Sequence, residues 1–169
     1  KQPVEPKHAV DAAGSMAEPD FPIVGIGCSA GGLEALDALL GGAPADSGMA
    51  FVIVQHLDPH HVSNLPELLQ RATPMPVFEA GERMLVRPGC VYVIPPNKYL
   101  SLLHGVLHLL EPTEKRGLRL PVDFFLRTLA DDCQHRAIGV ILSGMGSDGM
   151  LGLGAIKEKG GLTLAQEPA

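Results

Sequence analysis

The stretch Ile23-Val24-Gly25-Ile26-Gly27-Cys28-Ser29-Ala30-Gly31-Gly32 decides the fold. Its first half is short, apolar and interrupted by glycine, which suits a strand buried on both faces. Its second half is a tight glycine turn. Beyond it Leu33, Leu36, Leu39 and Leu40 recur at helical spacing, and Gly41-Gly42 closes the helix. The unit is strand, turn, helix, the opening of a parallel βαβ arrangement.

Working outward, Ala50 to Val54 is a second apolar run, ending at Gln55-His56. A helix is predicted over 64–71, with Leu65, Leu68 and Leu69 on one face, and Pro74 and Pro76 prevent its continuation. Short strands are predicted over 77–80, 90–94, 100–103 and 106–110, the last two forming a hairpin around His104-Gly105. A helix over 122–133 has an apolar stripe of Phe125, Leu126 and Leu129. A strand over 137–142 leads into Ser143-Gly144-Met145-Gly146-Ser147-Asp148-Gly149, then a helix over 151–159 and a strand over 162–165. Alternating strands and helices call for a mostly parallel sheet covered on both faces, an α/β fold with a small β-hairpin. Residues 1–20 are polar, carry Pro3, Pro6 and Pro19, and show no periodicity. They read as a flexible leader or interdomain linker before a domain over 21–169, in a chain cut from a longer protein.

Composition narrows the function. The 169 residues fit one domain, and a hydrophobic fraction of 46% supplies a core. Aromatics make up 4% and Trp is absent, so that core is built from Val, Ile, Leu and Ala. A net charge of −6 offers no basic field for nucleic acid. The one basic cluster, Lys115, Arg116 and Arg119, sits beside Glu111 and Glu114 and reads as a solvated loop. Three irregularly spaced cysteines, Cys28, Cys90 and Cys133, argue against a disulfide framework, and no CxxC pair suggests structural zinc. There is no apolar signal stretch and no run of about 18 apolar residues, so a cytoplasmic location is expected.

In open α/β sheets ligands bind beyond the carboxyl ends of the strands. Three predicted strand ends carry chemistry. Ser29 lies on a glycine-rich strand-to-helix turn, which can expose a hydroxyl as a nucleophile elbow does. His56 ends the second run and, with an imidazole that titrates near neutrality, can take the serine proton. Asp148 lies among glycines and can orient that histidine. Each has a plainer reading: Ser29 and Asp148 as helix caps, His56 as a bonded strand-end residue. Their coincidence at three parallel strand ends favours a site.

Rival chemistries are weaker. Gly25-x-Gly27-x-x-x-Gly31 resembles a dinucleotide-binding turn, but the second strand closes with Gln55-His56 where an acidic residue is needed. His104 and His108 have metal-like spacing, but on a hairpin, and no glutamate follows His104; His60 and His61 read as exposed loop residues. Cys28 adjoins Ser29, but alternation points the two to opposite sides, and the cysteine packs inward.

The ordered motifs Gly27-Cys28-Ser29-Ala30-Gly31-Gly32, Val54-Gln55-His56, Pro88 to Pro96, Leu120-Pro121-Val122-Asp123-Phe124-Phe125 and Ile138 to Gly149 resemble the CheB-type protein-glutamate methylesterase domain. Leu57-Asp58-Pro59, Arg119-Leu120-Pro121 and Ala165-Gln166-Glu167-Pro168 look most like the esterase domain of CheB/CheR fusion sensor proteins. The resemblance runs from about Phe21 to Ala169 and implies a Rossmann-like, doubly wound fold. It implies a serine hydrolase that demethylates glutamate side chains of chemoreceptors and can deamidate glutamines, with Ser29, His56 and Asp148 as catalytic trio. The backbone N–H of Met145 is the implied oxyanion donor, and Ala30, Gly31 and Gly144 line the site. No metal or organic cofactor is implied. Implied partners are a methylated chemoreceptor or receptor-like segment and adjacent methyltransferase and sensor domains. Two features depart from the family: Ala30 stands where threonine is common, and the family continues past Ala169. A non-catalytic regulatory module within a sensor protein is the alternative.

Overall fold

The computed structural model describes residues 19–55, 64–115, 117–142 and 146–167, with residue 30 described in its backbone only. Strand β1 (Ile23–Cys28) and strand β2 (Ala50–Gln55) are buried at every position, as apolar runs between two covered faces must be. Helix α1 (Leu33–Gly42) joins them after one turn of 3-10 helix over Ala30–Gly32. Helix α2 (Leu65–Ala72) follows, then β3 (Val77–Glu79), β4 (Met84–Leu85), β5 (Val91–Val93) and the hairpin β6 (Tyr99–Leu103) with β7 (Val106–Leu110). Helix α3 (Pro121–Cys133), strand β8 (Ala137–Ile141), helix α4 (Met150–Glu158) and strand β9 (Leu162–Ala165) complete the described chain.

The main sheet has six parallel strands in the order β3-β5-β2-β1-β8-β9. A separate three-stranded antiparallel sheet has the order β4-β7-β6. The predicted α/β fold with a small hairpin is therefore present, with two refinements. Strand β4 was not foreseen, because two residues show no alternation. Strands β3 and β5 join the main sheet, while the hairpin pairs with β4 instead. His104 and Gly105, with φ of 51° and 73°, make the tight turn of that hairpin.

Leu36, Leu40, Leu65 and Leu69 of α1 and α2 pack on one face of the main sheet with Val24, Ile26 and Ile53. Val122, Phe125, Leu126 and Leu129 of α3 and Ile156 of α4 pack on the other with Ile23, Val52 and Val54. A Cβ at Gly25 would lie 2.7 Å from a Leu126 methyl, and one at Gly27 would lie 2.5 Å from a Val122 methyl. These two glycines form a notch in which α3 rests on β1. That accounts for the spacing that resembled a dinucleotide turn, since both glycines lie inside the strand.

Strand β1 lies between β2, reached through α1, and β8, from which α4 leads outward to β9. The chain thus winds in opposite directions from the β1–β8 pair. The crevice at the carboxyl ends of these two strands is the topological switch point, where open α/β sheets bind ligands.

Candidate active site

Ser29 directly follows β1 with extended backbone (φ −86°, ψ 172°) and heads the 3-10 turn. Its hydroxyl makes no capping bond to that turn, so the cap reading fails. Its carbonyl oxygen does the structural work, accepting from Gly32 N at 2.9 Å and from Gln55 Nε2 at 2.8 Å. Gln55 is buried at the end of β2, and its amide links the carboxyl ends of β2 and β1. In the sequence Gln55 counts against a ribose site and forms part of the Val54-Gln55-His56 motif, but its bond to the Ser29 carbonyl is not evident there. The available signal was an amide closing a fully buried strand, a polar group that needs a partner.

A Cβ at Gly31 would stand 3.8 Å from Ser29 Oγ, in ordinary van der Waals contact with the hydroxyl. Cys28 points the other way and is fully buried in the α1 face of the sheet. Burial pushes its thiol up to about 12, far from the thiolate that nucleophilic attack requires.

Asp148 lies past β8, and only 4% of its surface is exposed. It does not cap its own helix, because Gly149 holds the N-cap position of α4 with φ of 101°. The carboxylate instead faces the start of α3. Oδ2 accepts from Val122 N at 3.2 Å and Oδ1 from Asp123 N at 2.8 Å. These are first-turn amides of a helix opened by Pro121, whose ring suits that position and leaves the next N–H groups outward. The positive end of the α3 dipole thus faces a carboxylate. A side chain at 149 would collide with Ile141 Cδ1, 2.4 Å from its Cβ, so glycine is required there for space as well as for φ.

The fold therefore brings Ser29 and Asp148 to the carboxyl ends of adjacent parallel strands, where Gly27 pairs with Ile141. His56, Gly144 and Met145 lie outside the described residues, as do His60 and His61. Nothing is described of the Ala30 side chain. A narrow cleft of about 60 Å³, lined by Gln55, Pro95, Asn97, Tyr99, Arg119 and Pro121 among others, opens beside the Gln55 end of β2. Arg119 lies in the loop read from the sequence as solvated, where Glu111, Glu114 and Lys115 are exposed, and it is itself partly exposed. Its Nη1 donates to Asn97 Oδ1 at 2.7 Å and its Nε to the Glu114 carbonyl at 2.9 Å. His108 Nδ1 lies 3.1 Å from Glu82 Oε1 on the small sheet. Among the described residues no three His, Cys, Asp or Glu side chains are grouped to hold a metal ion.

Residues 24–169 match the family described as CheB methylesterase. The protein-glutamate methylesterase/protein-glutamine glutaminase 2 of Burkholderia lata is 42% identical over 148 residues, covering 87% of this chain and 44% of the relative. An enzyme of the same name, numbered 3, from Pseudomonas savastanoi pv. phaseolicola is 36% identical over 169 residues, covering 99% of this chain and 50% of the relative. The chain thus spans about half the length of the curated relatives it matches. The crystal structure of the Thermotoga maritima CheB methylesterase catalytic domain superposes with a TM-score of 0.77 at 32% identity, covering 86% of this chain and 79% of that one. With the family match spanning most of its length and its fold superposing on a catalytic domain of that family, the chain belongs to the CheB methylesterase family.

Proposed function

We propose that this chain is the catalytic portion of a protein-glutamate methylesterase that also deamidates glutamine, acting on a methylated chemoreceptor or receptor-like segment in the cytoplasm. One observation carries the reading: a serine hydroxyl not used for capping and a buried, doubly bonded carboxylate stand at the ends of neighbouring strands at the switch point. The names of the curated relatives supply both reactions.

Ser29 Oγ attacks the side-chain ester carbonyl, and His56 accepts its proton. The N–H of Met145 stabilises the negative charge that develops on the carbonyl oxygen. The C–O bond to the methoxy group breaks, and His56 returns the proton to release methanol. Water then attacks the acyl-enzyme with His56 again as base, freeing glutamate and Ser29. With glutamine the leaving group is ammonia. Asp148 orients His56 and stabilises its cationic form, while Ala30, Gly31 and Gly144 line the approach.

The test is methanol release from a methylated chemoreceptor together with labelling by a serine-directed phosphonate. Ser29→Ala is expected to remove labelling and lower kcat by about 10⁴-fold or more with the fold kept. Activity is expected to fall with acid as His56, the general base, becomes protonated, and a flat pH profile would contradict that role. A folded wild-type chain that neither takes the label nor releases methanol would sink the proposal.

A further inference from the structure

Asp123 is the second carboxylate in this corner, and the proposed reaction does not use it. It is buried, with 4% of its surface exposed, in the first turn of α3. Its Oδ1 accepts from Gly152 N, in the first turn of α4, at 2.7 Å. Its own N–H donates to Asp148 Oδ1 at 2.8 Å. Gly152 lies four residues after Asp148 along the chain. The bonds therefore close a ring: Asp148 carboxylate to Asp123 amide, Asp123 carboxylate to Gly152 amide, and Gly152 back along the chain to Asp148.

The two helix starts are held by exchanged carboxylates. Asp148, just before α4, satisfies orphan amides of α3, and Asp123, in α3, satisfies an orphan amide of α4. The exchange depends on a close approach of the helices, since a Cβ at Gly152 would lie 2.5 Å from Leu126 Cβ. Helix α3 also rests in the glycine notch of β1, the strand that delivers Ser29. Helix α3 is thus the common frame for both residues.

We infer that Asp123 is a positioning residue that fixes Asp148 relative to Ser29 by tying α4 to α3. The amides of α3 orient the carboxylate of Asp148, but its backbone belongs to the α4 side of the ring. Without the Asp123 carboxylate, that backbone can drift while the carboxylate stays bonded, and its aim changes. Misplacement of a catalytic group by about 1 Å costs on the order of 100-fold in rate. This inference rests on the proposed function for its kinetic consequences, but not for its structural ones.

The experiment compares Asp123→Ala with Asp123→Asn, which keeps an oxygen acceptor for Gly152, and with Asp132→Ala as a control at the far end of α3. The structural readouts are the carboxyl ¹³C resonance of Asp148 and the exchange rate of the Gly152 amide. Both are expected to change in Asp123→Ala and to stay unchanged in Asp132→Ala, whether or not methanol is released. An unchanged Asp148 resonance in folded Asp123→Ala overturns the inference. Where wild type is active, Asp123→Ala is expected to lose about 10- to 100-fold in kcat with KM within about twofold, and Asp123→Asn to stay within about threefold. In an Asp148→Ala background the same change is expected to cost nothing further, because it acts through Asp148. An equal loss in both backgrounds overturns it. If Asp123→Ala does not fold, Asp123→Asn decides: a tenfold loss with the Gly152 amide still protected overturns positioning. An unlabelled wild type with the expected resonance shifts defeats the proposed function and leaves the ring standing.

Discussion

Cys28 and Ser29 are neighbours with opposite environments, and that contrast yields a measurable pH dependence. The folded thiol titrates at about 12, against an ordinary value of 9.0, because burial penalises its charged form. Between those values the unfolded chain has lost the proton that the folded chain keeps, so stability falls as pH rises. The slope from this one group reaches about 1.4 kcal/mol per pH unit. Chemical denaturation from pH 8 to 11 is expected to show a shallower alkaline loss for Cys28→Ala than for wild type; identical slopes would contradict the burial argument. Gln55 yields a second prediction. Gln55→Ala leaves the Ser29 carbonyl without its side-chain partner and is expected to cost about 1 kcal/mol of stability. It is also expected to lower kcat by about tenfold, read from methanol release, through a loosened serine turn. Ser29 and Asp148 were legible in the sequence because each follows an apolar run and sits among glycines. Gln55 and Asp123 were not. Their bonds reach across 26, 25 and 29 residues, and no local pattern encodes which distant amide or carbonyl a buried polar side chain will meet.

Helix α3 illustrates the same limit one scale up. Its apolar stripe of Phe125, Leu126 and Leu129 was readable and does face the core. A stripe argument sends the polar residues to solvent, yet Asp123 and Asp132 are buried at 4% and 8% exposure. Asp132 holds the hairpin turn, accepting from the His104 amide and, at 2.9 Å, from the Gly105 amide. Thr128 Oγ1 accepts from Leu102 N at 3.0 Å. The helix thus binds the main sheet with its stripe, the small sheet with its polar flank, and Asp148 with its first turn. Asp132→Ala removes the acceptor for two amides of the hairpin turn and is expected to cost about 1–3 kcal/mol in chemical denaturation. Because the loss falls at the end of α3 away from Asp148, kcat should stay within about twofold of wild type at a temperature where the variant is folded. Gly25→Val would drive a side chain into Leu126 and Leu129, whose methyls already lie 2.7 and 2.8 Å from a Cβ there. Overpacking of that kind costs about 1–3 kcal/mol or more. Since it lifts α3 from β1, it is expected to lower both stability and kcat. Strand order was less legible than strand position. No sequence pattern distinguishes β5, which joins the parallel sheet between β3 and β2, from β6, which turns away into the hairpin.

Over the whole molecule, stability should grade outward from the β1–β8 switch point. Strand β1 has hydrogen-bonded neighbours on both sides, β2 and β8, and covered faces above and below. Among the described residues strand β9 pairs only with β8, and its Leu162 and Leu164 are 55% and 51% exposed. Amides buried on both faces open only when the domain unfolds, whereas a strand paired on one side, with little buried apolar surface, can detach alone. Native-state hydrogen exchange is therefore expected to place the amides of Val24 to Cys28 and of the α3 interior at the global unfolding free energy. The amides of β9 that bond to β8 should exchange through smaller, local openings. Equal protection in β1 and β9 would show that the sheet opens as one unit and would contradict this gradient. The gradient matters for the proposed chemistry because Ser29 is carried by the slow strand. Asp148 is bonded to the helix that rests on that strand, so a local opening at β9 can occur without separating the two. On that basis mild denaturant, at a concentration that exposes β9 amides but not those of β1, should leave the rate of phosphonate labelling at Ser29 unchanged.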